Sequence, residues 1–142
     1  PFSLPYTFIA LDQAFPGSKF ILTMRNDEDQ WYKSVTRFHA KLWGKEKRIP
    51  TKQDLKEAKY IEKGYPYYFI KNTFNTSDNN PYDEKTLKTF YNNHNKTVID
   101  YFRNRPEDLL ILNVSENNAY QKLCNFLNIN CEQQEFPWKN KT

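Results

Sequence analysis

Short apolar runs alternate along the chain with longer segments in which apolar residues recur every three or four positions. Lys19 to Met24 is a nearly continuous apolar run that follows the chain-breaking pair Pro16-Gly17, a pattern typical of a strand buried on both faces in a parallel sheet. A helix should follow, since Asn26 or Asp27 can cap it. Its predicted buried face consists of Trp31, Val35, Phe38 and Leu42.

The same periodicity predicts further elements on both sides of this strand and helix. Helices are expected from Leu4 to Phe15, from Asp83 to Arg105 and from Asn118 to Leu127, and a second buried strand from Leu109 to Val114. The apolar faces of the first two helices are Phe8, Leu11, Ala14 and Phe15, and then Leu87, Phe90, Tyr91, His94, Val98, Tyr101 and Phe102. This order of helices and strands predicts an α/β fold.

The middle of the chain is less regular. Lys52 to Lys63 is strongly charged and is expected to form at most a surface helix, which the breaker Gly64-Tyr65-Pro66 ends. A continuous aromatic stretch from Tyr67 to Phe74 follows, and then a polar loop from Asn75 to Pro81. The only apolar stripe on this charged segment consists of Leu55, Ala58 and Ile61.

Composition limits the size and the kind of protein. The 142 residues are enough for one domain, predicted as 1–142, and the core must rely on aromatic residues, which make up 17% of a chain that is only 38% hydrophobic. A net charge of +4 suits an anionic ligand. Because 17 acidic residues are interleaved with 21 basic ones, no nucleic-acid partner is expected.

Cysteines and apolar runs bear on metal sites and on location. Cys124 and Cys131 form no CxxC pair and have no histidine cluster nearby, so we expect no metal. Cys124 is predicted to be a small core residue, and a disulfide with Cys131 remains an alternative. We find no signal peptide and no run long enough to cross a bilayer, which predicts a cytoplasmic protein without a membrane partner. Sequons occur at Asn75, Asn95, Asn113 and Asn140.

The segment LDQAFPGSKFILTMRNDEDQWYKSVTRFH resembles the strand and helix that bind the donor's 3′-phosphate in sulfotransferases. These enzymes use 3′-phosphoadenosine 5′-phosphosulfate (PAPS) as the sulfonate donor. The resemblance implies that Arg25, at the end of the strand, and Ser34, in the helix, hold the 3′-phosphate. A guanidinium and a hydroxyl suit this role, since both donate hydrogen bonds to phosphate oxygens. The alternative is that Arg25 pairs with Asp27 or Asp29 while Ser34 faces solvent.

Two further blocks, YNNHNKTVIDYFRNRPEDLLILNVSENNAYQKLCNFLNI and EFPWKNKT, resemble the closing part of bacterial-type sulfotransferases. The resemblance implies a P-loop-type three-layer fold, here incomplete, with few parallel strands and mostly helical. In that family a Gly-Thr-containing loop with a lysine wraps the 5′-phosphosulfate, but Gly17, Gly44 and Gly64 lie in no such loop. We therefore expect a C-terminal fragment or a degenerate relative.

The resemblance to P-loop-type α/β domains implies that the strand that feeds the donor loop lies between the two predicted strands. If it is missing, three arrangements are expected: a gap, a direct parallel pairing of the two strands, or a neighbouring chain in the slot. The sequence contains no GxxxxGK[ST] motif, which a P-loop nucleotide kinase or other P-loop phosphotransferase needs, so that class is not favoured.

No general base stands out in the sequence. His39 and His94 are the two histidines, and His39 is the weak catalytic candidate because it lies beyond Ser34 on the same predicted helix. The resemblance also implies that the aromatic middle segment, with Tyr65, Tyr67, Tyr68 and Phe69, lines an acceptor pocket. Core packing is the alternative for these four residues.

The resemblance implies a sulfotransferase that moves a sulfonate group from PAPS to a hydroxyl or amine of a small-molecule or saccharide acceptor. The chain would supply the 3′-phosphate half of the donor site. The alternative is a non-catalytic ligand- or protein-binding module derived from the same fold. A homodimer is left open, and the acceptor is not identified.

Overall fold

The computed structural model describes residues 6–137. These form, in chain order, α1 (Thr7–Ala14), β1 (Phe20–Thr23), α2 (Glu28–Trp43), a 3-10 turn (Lys45–Lys47), α3 (Lys52–Glu57), α4 (Tyr65–Phe74), α5 (Glu84–Phe102), a second 3-10 turn (Pro106–Asp108), β2 (Leu109–Leu112) and α6 (Ala119–Leu127). The predicted α/β class is confirmed. The start of the first predicted helix, at Leu4 and Pro5, and the end of the tail block lie outside the described residues.

The chain divides into two compact units, which are described separately. Residues 6–27 and 93–137 form one, here named the sheet unit, and residues 28–92 form the other, named the helical unit. The assignment of 1–142 to a single domain stays a prediction.

The two strands of the sheet unit pair directly and in parallel. Phe20 lies opposite Leu109, and Thr23 lies opposite Leu112. The ladder continues past β1, because the Met24 amide donates to the Leu112 carbonyl at 2.9 Å. Of the three arrangements expected for these strands, the structure therefore has the direct parallel pairing.

Each strand is covered on one face. In β1 only Leu22 is buried, where it packs with Val98 and Phe102 of α5. Successive side chains of a strand point to opposite faces, and Ile21 remains 44% exposed while Ile111 of β2 is 46% exposed. The prediction that the first strand is buried on both faces is therefore wrong, and the second predicted strand is only partly buried.

Helix α1 buries an acidic residue in place of its predicted apolar stripe. Phe8 packs edge-on against the Tyr101 ring, with 5.3 Å between centroids, but Leu11 is 44% and Phe15 62% exposed. Asp12 is instead 8% exposed. The predicted stripe is wrong beyond Phe8 because polar contacts orient the helix.

Those polar contacts are hydrogen bonds to the Asp12 carboxylate. Arg105 Nη2 donates to Asp12 Oδ2 at 2.7 Å and Nη1 donates to Oδ1 at 3.1 Å, which is a bidentate pair. The Tyr101 hydroxyl donates to Oδ2 at 2.7 Å. The hydrogen bonds from Arg105, and then that from Tyr101, lower the pKa of Asp12. A carboxylate nearly out of solvent is thus fully paired.

The core of the helical unit is largely aromatic. Its buried members are Leu55, Tyr67, Ile70, Tyr82 and Leu87, with Trp31, Tyr32, Trp43, Phe69 and Phe74 packed around them. The Trp31 ring also stacks on Tyr91, with 4.8 Å between centroids. This agrees with a core built on aromatics, as composition predicts.

Helix α2 begins where predicted, just after Asp27, but toward its C-terminal end it buries other residues than those predicted. Phe38 and Leu42 of the predicted stripe are 37% and 47% exposed. The buried residues are Thr36, His39 and Ala40. The prediction is wrong for Phe38 and Leu42 because the face of the helix toward the core carries polar groups, and these groups form hydrogen bonds there.

His39 and Tyr82 are the polar pair that this face buries. His39 Nδ1 and the Tyr82 hydroxyl share a hydrogen bond of 2.9 Å, and the two residues are 5% and 4% exposed. Burial lowers the pKa of His39 to about 4 and raises that of Tyr82. The imidazole is therefore neutral at neutral pH.

The charged segment after α2 forms a shorter and better-anchored helix than predicted. A reciprocal capping box between Thr51 and Asp54 starts α3, and Arg48 pairs with Asp54 at 2.6 Å. Leu55 is completely buried, so the expectation of a mere surface helix is wrong. Ile61 lies beyond the helix and is exposed.

The predicted breaker Gly64-Tyr65-Pro66 in fact starts a helix. Gly64 precedes α4 with a φ of 82°, a left-handed conformation that glycine adopts without strain. Pro66 lies in the first turn, where its missing N–H costs no hydrogen bond.

A disulfide joins α6 to the segment that follows it. Cys124 on α6 is bonded to Cys131, with 5.7 Å between their Cα atoms. Cys124 is also 1% exposed, so it is both the core residue and the disulfide partner that the sequence left as alternatives. Tyr120 and Phe136 make an edge-on ring contact at 5.3 Å that further holds this segment.

We expect Asp12→Asn to lower stability at pH 7. The pKa of Asp12 is lower in the folded protein than in the unfolded chain. The ionised carboxylate therefore stabilises the fold above the ordinary carboxyl pKa of about 4, and this stabilisation is lost as pH falls through the native pKa. Urea midpoints at pH 7 and pH 3 measure this, and the gap between the two proteins should narrow at pH 3. Asp100→Asn is the control, because Asp100 belongs to an exposed pair with Lys96 and should change little. Equal midpoints for Asp12→Asn and wild type at pH 7 would contradict the role of the pair.

Acidification should destabilise the protein through His39. In the unfolded chain this histidine takes a proton near pH 6.5, whereas in the fold it does so only near pH 4. Stability should therefore fall between these values by about 3 kcal/mol. Urea unfolding from pH 7 to pH 4 measures the slope, which should flatten in His39→Gln and largely persist in His94→Gln. If His39→Gln leaves the slope unchanged, protonation of His39 is not the cause of the loss of stability.

Reduction should also destabilise the fold. Opening the Cys124–Cys131 bond releases a short loop, which by the chain-entropy model costs about 2 kcal/mol. Urea unfolding with and without dithiothreitol measures the loss, and a Cys124→Ala, Cys131→Ala double variant should be insensitive to the reductant. Two titratable thiols in the protein unfolded without reductant would show that the bond is absent.

Candidate functional site

Arg25 lies just beyond the carboxyl end of β1. Because β1 and β2 are parallel, their carboxyl ends lie at the same edge of the sheet. This places residues 24–26 beside residues 113–115, and these six residues are here named the carboxyl edge. Ligands of open α/β sheets bind outside the carboxyl ends of the strands, so this edge is the natural candidate site of the sheet unit.

Hydrogen bonds join the two loops of the carboxyl edge. Arg25 Nη1 donates to Ser115 Oγ at 3.1 Å, and Asn113 Nδ2 donates to Asn26 Oδ1 at 2.6 Å. The Ser115 amide in turn donates to Asn113 Oδ1 at 3.1 Å. The guanidinium is thus oriented by a residue 90 positions away in the chain.

The edge suits an anion better than a cation or a neutral ligand. A guanidinium carries five N–H donors in a planar fork, and Nη1 of Arg25 donates to Ser115. Arg25 is only partly buried. Of its two alternative acidic partners, Asp29 forms an ion pair with Lys88 in the helical unit, and this pair lowers the pKa of Asp29.

Ser34 is the other predicted donor-binding residue. It is the seventh residue of α2 and is partly buried. It belongs to the helical unit, whereas Arg25 belongs to the sheet unit. The proximity of these two side chains therefore stays a prediction.

Sequence reasoning missed Asn113 and Ser115 as members of the site. In the sequence Asn113 stands out only as a sequon, and no pattern singles out Ser115. The signal that could have found them is positional, since both follow β2 as Arg25 follows β1. Using that signal requires knowing that the two strands are neighbours.

The two histidines do not lie on open surface. His39 is buried against Tyr82. His94 is half-buried beside the Phe8 ring, with 6.4 Å between centroids, and burial lowers its pKa. The geometry therefore adds no support for either imidazole as a general base.

The aromatic segment divides into core and surface. Tyr67 is 3% exposed and belongs to the core, while Tyr68 is 59% exposed. The Tyr65 and Phe69 rings are partly exposed and stack on each other, with 6.1 Å between centroids and 15° between planes. Core packing thus accounts for Tyr67 and in part for Phe69, which packs against the buried cluster, while Tyr65 and Tyr68 have more surface exposed to solvent.

Within residues 6–137, no three or more metal-ligating side chains come close enough to hold a metal ion. Over the same range, no helix has the length and apolarity needed to span a bilayer.

Comparison with known proteins gives the family. The family model described as a sulfotransferase domain matches residues 3–142. Searches of curated proteins and of solved structures returned no match. The matched range covers nearly the whole chain, including both strands, the carboxyl edge and the helices between them, and the chain therefore belongs to the sulfotransferase domain family.

Proposed function

We propose that this chain binds the 3′-phosphate of PAPS and takes part in sulfonate transfer to a hydroxyl or amine acceptor. The observation that carries the proposal is the position of Arg25 at the carboxyl edge, with its guanidinium oriented by Ser115. Family membership makes a sulfonate-transfer function the natural one, and PAPS is the usual donor of the family.

The role of Arg25 is to position the donor. A phosphate oxygen at the carboxyl edge would accept charge-assisted hydrogen bonds from its N–H groups. The Ser115 hydroxyl and the Asn26–Asn113 bridge hold the two loops, so little ordering is needed when the donor binds. Ser34 would add a second hydroxyl donor to the same phosphate.

In the transfer itself, an acceptor oxygen or nitrogen attacks the sulfur of the donor. The new bond to sulfur forms as the bond between sulfur and the 5′-phosphate oxygen breaks, and adenosine 3′,5′-bisphosphate leaves. The acceptor's proton passes to a base, for which His39 remains a weak candidate because it is buried. Arg25 and Ser34 make and break no covalent bond.

The acceptor is proposed to be a small molecule or a saccharide. Support comes from the partly exposed rings of Tyr65, Tyr68 and Phe69, since aromatic faces offer large, stiff contact area. A homodimer, and the alternative of a non-catalytic binding module, stay open. The binding-module alternative is supported by the lack of a Gly-Thr loop in this sequence.

A cytoplasmic location also stays a prediction. The Cys124–Cys131 bond counts against it, because disulfides are rare in reducing compartments. The redox state of Cys124 and Cys131 in freshly lysed cells would decide between a reducing compartment, such as the cytoplasm, and an oxidising one.

Arg25→Ala should weaken the binding of adenosine 3′,5′-bisphosphate about thirtyfold, because a charge-assisted phosphate contact contributes on the order of 2 kcal/mol. Isothermal titration calorimetry at a fixed salt concentration measures both proteins. Ser34→Ala should weaken binding by a smaller factor.

Arg37→Ala is the matched control for this titration. It removes the same charge from an exposed position of α2, so its affinity should stay within about twofold of wild type. Equal affinity of Arg25→Ala and wild type would refute the 3′-phosphate site. Intact binding without sulfonate transfer to any phenol, alcohol or amine would favour the binding module.

A further inference from the structure

The net positive charge of the chain is concentrated in one stretch of the helical unit. Residues 41–63 carry eight lysines and arginines and four acidic residues, whereas the rest of the chain carries thirteen of each kind. This stretch therefore accounts for the whole net charge of +4. A surface with such an excess attracts anionic partners.

Ion pairs within the protein use only part of this positive charge. Three of the eight cations form ion pairs, namely Lys45, Arg48 and Lys52. The other five are exposed and form no ion pair within residues 6–137: Lys41, Lys47, Lys56, Lys59 and Lys63. Of the four acidic residues, only Glu46 and Glu62 likewise lack an ion pair. The charge left for a partner is thus clearly positive.

Contacts inside the helical unit hold the parts of this stretch beside one another. The Trp43 ring, at the end of α2, lies edge-on to the Tyr60 ring with 6.3 Å between centroids. Lys45 and Arg48 both pair with Asp54, which fastens the turn after α2 to α3. The end of α2, this turn and the residues around Tyr60 are therefore neighbours.

Residues 59–63 form a tight loop, here named the basic loop. Lys59 and Lys63 face each other in an antiparallel bridge, and the Gly64 amide donates to the Ala58 carbonyl at 2.9 Å. Residues directly opposite in an antiparallel pair project to the same side. The two lysines therefore flank a tip that consists of Tyr60, Ile61 and Glu62.

The tip of the basic loop exposes apolar surface. Ile61 is 67% exposed, the largest fraction among the exposed large apolar side chains of residues 6–137. Tyr60 is 60% exposed, and its ring lies 6.1 Å from that of Tyr65 as well as near Trp43. Such apolar surface is unfavourable in water and gains free energy when a partner covers it.

The combination of apolar tip and lysines favours a lipid surface over other polyanions. Anionic headgroups attract basic segments near a membrane, and tyrosine is enriched at the level of the headgroups. The acyl chains just below provide the apolar environment that Ile61 lacks in the free protein. Nucleic-acid phosphates and acidic sugars match the lysines but offer an isoleucine little apolar surface.

We propose that the basic loop binds the surface of a bilayer that contains anionic lipids. Ile61 enters the acyl boundary, Tyr60 lies among the headgroups, and Lys59 and Lys63 pair with lipid phosphates or carboxylates. A protein bound in this way needs no spanning helix, so the expectation of no membrane partner, which came from the lack of a long apolar run, does not bear on this loop. The proposal uses none of the residues assigned to the donor and stands independently of the proposed function.

Co-sedimentation of the intact chain with vesicles tests the proposal. We expect binding to vesicles of phosphatidylserine and phosphatidylcholine in equal parts, and much weaker binding to phosphatidylcholine alone. Binding should fall as salt is raised, because exposed charges are screened. The proposal is overturned if the chain does not bind the anionic vesicles at low salt, or binds both kinds of vesicle equally.

A lysine pair tests the electrostatic part. Lys59→Gln with Lys63→Gln should weaken binding about twentyfold, since each lysine near an anionic surface contributes about fivefold. Lys33→Gln with Lys85→Gln is the matched control, because it removes the same charge from two exposed positions of the helical unit outside residues 41–63. The control should stay within about threefold of wild type. Equal losses in the two double variants would overturn the assignment to the basic loop.

Ile61→Ser tests insertion of the tip. It should weaken binding about fivefold or more, because the isoleucine no longer transfers from water to the acyl boundary. Ile129→Ser is the matched control, since Ile129 is 55% exposed in the sheet unit, and it should bind as wild type does. Glu62→Gln should strengthen binding, because it removes a negative charge from the tip.

Heparin and single-stranded RNA distinguish a lipid surface from other polyanions. If either binds the chain as tightly as the anionic vesicles do and Ile61→Ser leaves vesicle binding unchanged, the basic loop is a general polyanion site and the proposal is overturned. Loss of vesicle binding in Ile61→Ser, with heparin and RNA binding unaffected by the same change, is the result that we expect.

Discussion

The parallel pairing of β1 with β2 is the constraint on which the candidate site depends. It brings together the carboxyl ends of two strands whose loops are 90 residues apart, and only this arrangement lets Ser115 orient Arg25. A two-stranded sheet has little stability of its own. The pairing is therefore supported from outside, by Val98 and Phe102 of α5 against Leu22 and by the packing of α6 on β2. The geometry of the proposed anion site is a consequence of that helical support.

Both compact units bury polar groups where the apolar pattern predicted none. Asp12 in the sheet unit is satisfied by Arg105 and Tyr101, and His39 in the helical unit is satisfied by Tyr82. Removing one partner would leave the other buried and unpaired, which costs more than the bond itself contributes. Such pairs make the packing of each unit sensitive to pH, since the carboxylate must stay charged and the imidazole must stay neutral.

The limits of sequence reasoning follow from these same pairs. Periodicity located α2 and α5 closely, because helices of 16 and 19 residues carry many repeats. It missed the buried positions Thr36 and His39 of α2, because the Thr36 hydroxyl is satisfied within the helix at 2.8 Å and His39 is satisfied by a residue 43 positions away. Arg25 could be identified from the resemblance of its segment. Asn113 and Ser115 could not, since their membership depends on which strands are neighbours.

The position of the helical unit in the chain has a consequence for the order of folding events. Residues 28–92 lie entirely between β1 and β2, so the strands can pair only by closing a long loop. Loop closure over many flexible residues is entropically costly and slows parallel pairing. If the helical unit collapses first around its own aromatic cluster, the flexible length that separates the strands becomes much shorter. The segment that separates Arg25 from Ser115 in the sequence would then shorten the search by which β1 and β2 meet.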